Sequence, residues 1–317
     1  MKIELNMLSR RKFISQSALA AGSFLVTPSL AGAADVFASA RKLTILHTND
    51  THSRIYPFPM DGSNNQGLGG VAPRSELIKI IRNKEENVLL FDAGDIFQGT
   101  PYFNIFQGEP EIKSMTGMAY HAATIGNHDF DAGLQVLRDQ LDRHASFPMI
   151  ICNYDFTGTP MEGKTIPYKI FKKNGLKIGV TGVGIELEGL VASNLIESTK
   201  YLNPILKANE VALELKRQNC ALIVCLSHLG YKYSYNKVSD VILAKESENI
   251  DLIIGGHTHT FLEKPDVIKN KKNEDVLINQ VGWAGIQLGR LDFIFEKNRK
   301  KSLSTSSSIL VTKKYEI

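Results

Sequence analysis

The stretch Leu43-Thr-Ile-Leu-His-Thr-Asn-Asp-Thr-His52 passes from a run of apolar and β-branched residues into a polar cluster. Such a run is typical of a β-strand, and the Asp50 carboxylate and His52 imidazole that follow it can each bind a metal ion. A strand that ends directly in such side chains favours an α/β fold, in which functional groups collect at the carboxyl ends of the strands.

Four further strands predicted from the sequence end in polar clusters of the same kind. They are Val88–Asp92 before Gly94 and Asp95, Ala122–Ile125 before Asn127, His128, Asp129 and Asp131, Ala221–Ser227 before His228, and Asp251–Gly255 before His257 and His259. Because the carboxyl ends of parallel strands meet at one edge of a sheet, we expect the five clusters to converge on one crevice. This shared placement indicates a composite site more strongly than any single cluster does.

Short runs rich in Val, Ile and Leu recur along the chain with helical segments between them, and this pattern predicts a layered α/β domain. The predicted strands are 43–48, 88–92, 122–125, 149–152, 168–172, 176–183, 221–227, 251–255, 276–281 and 289–295, and the predicted helices lie near 71–86, 110–120, 132–143, 203–218 and 238–248. Asn203 and Pro204 predict the start of the fourth helix, since Asn is a favoured cap and Pro suits the first helical position. Residues 291–317 are expected to form a β-hairpin rather than a separate domain.

The composition is that of a soluble globular protein, with 43% hydrophobic and 22% charged residues among 317. The formal net charge is +4, but residues 1–40 contribute four basic and two acidic side chains to it. The remainder of the chain therefore holds 33 basic and 31 acidic residues, which is nearly balanced. This balance predicts no nucleic-acid partner, since such a partner favours a strongly basic surface.

The N-terminal segment has the features of an export signal. Arg10-Arg11-Lys12 precedes a mildly apolar stretch from Phe13 to Leu30, and Ala38-Ser39-Ala40 provides the small residues of a cleavage site, as does a second triplet at 31–33. A membrane anchor is the alternative, but polar residues, Gly and Pro interrupt the stretch too often for a stable span. We therefore expect a twin-arginine-type signal peptide at 1–40, a folded domain at 41–317, a periplasmic location and no stable anchor after the signal is removed.

Two clusters carry metal-binding side chains at a spacing of two residues. Asp50 and His52 place a carboxylate and an imidazole on one side of a turn, and His257 and His259 place two imidazoles in the same way. A single histidine in such a loop is more often structural, but paired histidines beside further Asp and His clusters favour metal. The sequence thus predicts that these loops form a metal site.

The full candidate ligand set contains carboxylate, imidazole and amide groups and no thiolate. It consists of Asp50, His52, Asp95, Asn127, His228, His257 and His259. Seven ligands are too many for one tetrahedral ion and suit two divalent ions if one carboxylate bridges them. Asp95 is the candidate bridge, because the preceding Gly94 allows it to protrude between the clusters. Donors of this hardness suit Zn, Mn, Fe or Co, and the choice among these stays open.

The clusters also resemble those of a known family. Asn49-Asp50-Thr51-His52, Gly94-Asp95, Gly126-Asn127-His128-Asp129, Ser227-His228 and Gly256-His257-Thr258-His259 resemble, in this order, the five blocks of the calcineurin-like metallophosphoesterases. The longer strings Ile45–His52, Gly126–Asp131 and Gly289–Asp292 are similar to the N-terminal domain of bacterial 5'-nucleotidases. The resemblance covers about residues 43–296, and five blocks in the right order make it highly specific.

The resemblance implies a four-layer α/β/β/α sandwich and a role for each site residue. It implies a first metal site with Asp50, His52 and His259, a second with Asn127, His228 and His257, and Asp95 touching both. Some relatives have Gln at the last position, where this chain has His259. His128 would contact the phosphoryl group as a catalytic residue, and Asp131 would orient His128. A hydroxide bridging the two metal ions would then attack phosphorus in line with the leaving oxygen.

The activity that the resemblance implies is that of a metal-dependent phosphoric-ester hydrolase, most closely a 5'-nucleotidase-like phosphomonoesterase acting on a nucleotide. Typical 5'-nucleotidases add a second domain that binds the nucleoside, and this chain stops before it. Two alternatives follow: a separate chain that carries that domain is the partner, or the substrate is recognised by its phosphate alone. Alternatives within the superfamily are a 2',3'-cyclic nucleotide phosphodiesterase and a sulfur-ester hydrolase. The alternative class is a non-catalytic partner subunit that binds metal or nucleotide.

Three residues outside the clusters are expected to have structural roles. His47 lies within the first strand, where a core histidine or one that supports a ligand is expected. Arg74, at the start of a helix, is expected to be solvated, with a substrate phosphate as the alternative contact. Trp283, the only tryptophan, is expected in the core, with stacking on a base as the alternative.

Overall fold

The computed structural model describes residues 40–296 and 301–313 of the 317-residue chain. The predicted signal peptide at 1–40 lies, except for Ala40, outside the described residues and stays a prediction. Within the described ranges, none of the helices combines the length and the apolar composition that crossing a membrane requires.

The first sheet contains seven strands among the described residues, and the strands that carry the first three polar clusters lie side by side in it. In spatial order they are β15 (Lys301–Leu310), β14 (Gln287–Phe295), β1 (Arg41–Thr48), β2 (Val88–Asp92), β3 (Ala122–Ala123), β4 (Met149–Ile150) and β6 (Thr165–Ile166). Strands β1 to β6 of this sheet are parallel, whereas β14 pairs antiparallel with both β1 and β15. The expected C-terminal hairpin is therefore confirmed, since β14 and β15 form it.

The second sheet contains six strands and holds the other two ligand-bearing strands at its centre. In spatial order they are β12 (Asp266–Lys269), β13 (Asp275–Asn279), β11 (Leu252–Gly255), β10 (Leu222–His228), β8 (Leu176–Gly184) and β7 (Tyr168–Lys173). The four central strands are parallel, and the two edge strands are antiparallel to their neighbours. A separate small pair joins β5 (Tyr154–Asp155) to β9 (Lys200–Tyr201).

Seven helices accompany the sheets in the described part of the chain. They are α1 (Val71–Lys84), α2 (Pro101–Phe106), α3 (Glu109–Gly117), α4 (Leu134–His144), α5 (Ser193–Ile196), α6 (Pro204–Arg217) and α7 (Asp240–Glu246). One apolar core lies between the sheets and contains Leu89 of β2 and Val224 of β10. A second covers the outer face of the first sheet with α1, α3 and α4, and a third covers the outer face of the second sheet with α6 and α7. The expected four-layer α/β/β/α sandwich is thus confirmed.

The start of α6 agrees with the prediction from sequence, because the capping residue bonds to amides that directly follow it in the chain. Asn203 Oδ1 accepts hydrogen bonds from the amides of Ile205 and Leu206, and Pro204 opens α6 as expected. The prediction that strand β3 reaches residue 125 is wrong, since the strand ends at Ala123. A Cβ on Gly126 would lie only 2.1 Å from Asp95 Oδ1, so only glycine fits at this position beside the Asp95 carboxylate.

Candidate metal centre

The five polar clusters meet at the carboxyl ends of β1, β2, β3, β10 and β11. Within the described part of the chain, two groups of side chains each bring their ligand atoms within 4.8 Å of one another. We name them the first cluster, Asp50, His52 and His259, and the second cluster, Asp95, His228 and His257. Asn127 extends the second cluster, since its Oδ1 lies 2.8 Å from His257 Nδ1. All seven candidate ligands are therefore brought together.

The ligand loops hold an uncommon backbone conformation. Positive φ angles between 45° and 71° occur at Asp50, His52, Asp95, His257 and His259. Residues other than glycine rarely adopt this region, and where they do the surrounding structure must hold them in place. Two backbone hydrogen bonds do so here: the amide of Asp50 donates to Gly94 O at 2.9 Å, and that of His52 donates to Asp95 O at 3.1 Å. The β1 and β2 loops thus fix each other.

In the first cluster, two imidazole nitrogens face each other. His52 Nε2 lies 3.0 Å from His259 Nε2, which in turn lies 3.5 Å from Asp50 Oδ1. His52 Nδ1 lies 3.2 Å from Phe97 O, and because a carbonyl oxygen only accepts, the proton of this ring is on Nδ1. Burial lowers the pKa of His52, despite the nearby Asp95 and Asp50 carboxylates. His52 Nε2 therefore directs a lone pair into the cluster, as a metal ligand requires.

In the second cluster, the Nδ1 of His228 is also hydrogen-bonded to a backbone carbonyl. His228 Nδ1 donates to Ala93 O at 2.7 Å, which leaves Nε2 facing Asp95 Oδ2 at 3.0 Å. This Nε2 is completely buried and lacks a well-aligned hydrogen-bond partner. Burial by itself lowers the pKa of His228, but the Asp95 carboxylate outweighs burial and raises that pKa to about 10. The site therefore attracts positive charge to the point where the ligand atoms converge.

Asp95 lies between the two clusters. Its Oδ2 is 3.0 Å from His228 Nε2 and 3.8 Å from His52 Nε2, so one oxygen approaches a ligand atom of each cluster. Its Oδ1 accepts the backbone amide of His128 at 2.8 Å. Gly94 has a φ of 89°, and a Cβ there would meet the Gly126 amide nitrogen at 2.6 Å. The glycine before Asp95 is thus needed to bring the carboxylate between the clusters.

His128 and Asp131 form a pair at the edge of the site. A short 3-10 helix, Asn127–Phe130, places the two so that His128 Nδ1 lies 2.8 Å from Asp131 Oδ2. This hydrogen bond is the main reason that the pKa of His128 is raised. The His128 side chain is 38% exposed, and its ring centroid lies 5.3 Å from that of His52. His128 is therefore open to a ligand and adjacent to the first cluster.

Two residues without a predicted role, Asp129 and Asn49, support the ligands. Asp129 accepts four backbone hydrogen bonds, from the amides of Asp95, Ile96, Phe97 and Gly126, at 2.8–3.1 Å. Asn49 Nδ2 donates to Asp50 Oδ2 at 2.6 Å. Both stand inside the polar clusters of the sequence, which was the only local signal for them.

The three residues expected to have structural roles have mixed outcomes. His47 is completely buried, with its Nε2 2.8 Å from Asn279 Nδ2, and burial lowers its pKa to about 3, so the expectation of a core histidine is confirmed. The prediction of a solvated Arg74 is wrong, because Arg74 is only 3% exposed beneath the Gly285 loop. The prediction that Trp283 lies in the core is wrong, because its side chain is half-buried and its ring stacks on His259.

The ligand-bearing part of the chain matches a known family. Residues 43–261, which include all the candidate ligands, match the family described as calcineurin-like phosphoesterase. The chain belongs to this family.

Several similar proteins are 5'-nucleotidases. A snake venom 5'-nucleotidase from Crotalus adamanteus is 33% identical over 300 residues, covering 89% of this chain and 50% of that protein. The 5'-nucleotidase of Vibrio parahaemolyticus is 33% identical over 341 residues, covering 97% of this chain and 58% of its own length. The crystal structure of a 5'-nucleotidase precursor from Thermus thermophilus matches with a TM-score of 0.78 and 31% identity, over 86% of this chain and 55% of that one. The chain thus spans about half the length of these relatives.

Proposed function

We propose that this protein is a metal-dependent phosphoric-ester hydrolase of the 5'-nucleotidase type, acting on phosphomonoesters. The observation that carries the proposal is the position of Asp95, whose Oδ2 lies 3.0 Å from a histidine of the second cluster and 3.8 Å from one of the first. Such an arrangement suits two cations that share one carboxylate, which is the arrangement used in many phosphatases.

The residues present fit a pair of divalent ions. The buried Nε2 of His228 without an aligned partner and the facing nitrogens of His52 and His259 are each satisfied by a cation placed between the donors. Asp50, His52 and His259 would hold one ion, Asn127, His228 and His257 the other, and Asp95 both. When bound, such ions neutralise phosphoryl oxygens and lower the pKa of water.

His128 and Asp131 are the side chains proposed to take part in the reaction directly. A phosphoryl group held above the clusters lies within reach of the exposed His128 ring, which hydrogen-bonds to the charge that develops in the transition state or donates a proton to the leaving oxygen. Asp131, 2.8 Å from His128 Nδ1, orients the ring and favours its protonated form. The buried site around Asp95 strengthens these electrostatic contacts.

Nucleotides are the proposed substrate class, because the relatives are named 5'-nucleotidases. The proposal includes export to the periplasm by the twin-arginine route, which the Arg10-Arg11 pair supports.

The test is a substrate panel with the full chain, reloaded with Mn or Zn after its metal content is measured. The panel contains p-nitrophenyl phosphate, its bis-ester, 5'-AMP and 2',3'-cyclic AMP. We expect two ions per chain and preferential hydrolysis of 5'-AMP. Preference for the cyclic substrate would replace the phosphomonoesterase assignment, and inactivity towards all four with two ions bound would favour a non-catalytic binding protein.

Two variants test whether activity depends on Asp95 as the carboxylate shared by both ions. Asp95→Asn removes the charge that both ions share and should reduce metal content to one ion or none, with loss of activity. Asp139→Asn, on the outer surface of α4, is the matched control and should retain both. Full metal content and activity in Asp95→Asn would contradict the two-ion arrangement.

A further inference from the structure

Trp283, the only tryptophan of the chain, lies in the loop between β13 and β14, outside the five loops that carry the candidate ligands. Its ring is nearly parallel to that of His259, with an interplanar angle of 10° and a centroid separation of 5.7 Å. Phe58 packs against Trp283 in an edge-to-face arrangement, with a centroid separation of 5.7 Å and an interplanar angle of 77°. The indole is therefore held by one aromatic neighbour and presents a face to a candidate ligand.

The loop of Trp283, residues 281–285, is attached to both segments that carry the first cluster. The amide of Ala284 donates to Asp50 O at 2.7 Å, and the amide of Gly282 donates to Thr260 O at 2.9 Å. Asn49 Nδ2, which also bonds to Asp50 Oδ2, donates to Gly282 O at 2.6 Å. The position of Trp283 is thus set by the same backbone that sets Asp50 and His259.

His259 differs from His52 and His228 in what orients its ring. His52 and His228 each have an Nδ1 hydrogen-bonded to a backbone carbonyl, the usual way in which a protein orients a metal-binding imidazole. Among the described residues, no hydrogen bond to His259 Nδ1 is found, and its side chain is 40% exposed, compared with 8% for His52. Its ring contacts are the edge-on His52 ring at 5.0 Å and the parallel face of Trp283.

We infer that Trp283 is a positioning residue for the first metal site: its indole face fixes the plane of the His259 ring and replaces the carbonyl hydrogen bond that orients His52 and His228. The inference rests on the proposed function. An offset-stacked ring restricts rotation of the imidazole, so that Nε2 stays directed at Asp50 and His52. Loss of the indole should therefore weaken one of the two metal sites selectively.

The experiment measures stepwise metal binding to the full chain. Metal-free protein is titrated with Zn in the presence of a competing chelator, and the two dissociation constants are obtained together with the metal content. Trp283→Leu should weaken one step by roughly ten-fold or more, the usual effect of removing a group that supports a ligand, and leave the other step unchanged. Trp283→Phe, which keeps a flat ring, should restore most of the affinity.

Phe171→Leu is the matched control, because Phe171 is also half-buried and its aromatic contacts, Phe91 at 5.7 Å and His121 at 5.9 Å, are outside both clusters. It should lower thermal stability and leave both binding steps unchanged. In a His259→Ala background, Trp283→Leu should have no further effect on metal binding, since the coupling acts through the His259 ring.

The outcomes separate the two proposals. Wild-type protein that takes up fewer than two ions would refute the proposed function, and the inference with it. Two ions in the wild type with both steps unaltered in Trp283→Leu, or with both steps weakened equally in that variant, would overturn the role of Trp283 alone. An equal effect of Trp283→Leu with and without His259 would overturn it as well.

Discussion

The Nε2 atoms of His52 and His259 lie 3.0 Å apart, although 207 positions of sequence separate the two residues. The proton of His52 is on Nδ1, so its Nε2 presents a lone pair to the partner ring. Asp50 Oδ1 lies 3.5 Å from the same His259 nitrogen. A divalent ion placed between these atoms would satisfy both imidazoles and the carboxylate together, which a single N–H···N hydrogen bond between the two rings does not.

Removal of metal should therefore abolish activity and lower stability. An ion present at 100 times its dissociation constant stabilises the folded state by about 2.7 kcal/mol, and this contribution is lost on chelation. Thermal unfolding and phosphatase assays before and after exhaustive chelation test this, and Mn or Zn should restore both. Undiminished turnover in protein shown to be metal-free would contradict the two-ion site.

His128→Ala should separate turnover from metal binding. The ring is outside both clusters and 38% exposed, so its removal leaves the ligands in place while a transition-state contact is lost. We expect kcat to fall by roughly 10²–10⁴-fold, the range for a general acid or base. Elemental analysis should still find two ions, and Asp131→Asn should have a smaller effect of the same kind. Loss of metal in His128→Ala would show that its role is structural.

Asp129→Asn should lower the stability of the protein and weaken metal binding. The carboxylate accepts four backbone amides, whereas an Asn side chain has one acceptor oxygen and would turn an NH2 group towards two of these donors. We expect a loss of roughly 3 kcal/mol in the free energy of unfolding, together with weaker metal binding because Asp95 belongs to this segment. Denaturant unfolding measures the first quantity, and Asp139→Asn serves as control. A stability equal to that of the control would refute the role.

Asp292→Asn should cost stability in a pH-dependent way. Burial raises the pKa of Asp292, but hydrogen bonds from Arg290 and Thr44 outweigh burial and lower it. A lowered folded-state pKa adds stability that is fully present above the ordinary Asp pKa of about 3.9 and disappears as pH falls through the folded-state value.

The variant should therefore lose roughly 2 kcal/mol at pH 7, and the difference from the wild type should shrink below about pH 4. Urea unfolding at several pH values measures this. Asp275→Asn removes an exposed pair with Lys269 and should change stability by less than about 0.5 kcal/mol. A difference between Asp292→Asn and wild type that is independent of pH would show that ionisation is not its cause.

Much of the fold was accessible from sequence because its signals are local. Strand β2 begins and ends where the apolar run does, and α6 begins at Asn203 because that side chain caps its own following amides. Short elements such as α2 and β5 were missed, since they are too brief to show a period. The burial of Arg74 was not accessible from sequence, because a charged residue at the start of a helix is usually solvated. Its burial depends on the loop of Gly285, which is distant in sequence.

The sequence by itself determined the chemistry of this protein. It specified which strands end in carboxylates and imidazoles, which glycine precedes Asp95, and which donor set is available for metal, because these properties belong to single residues and their neighbours. Only the tertiary structure decided how the donors group around Asp95, how Asp129 holds their backbone, and that Trp283 stacks on His259. These relationships join residues on different strands, and their distances depend on the packing of two sheets rather than on any local pattern.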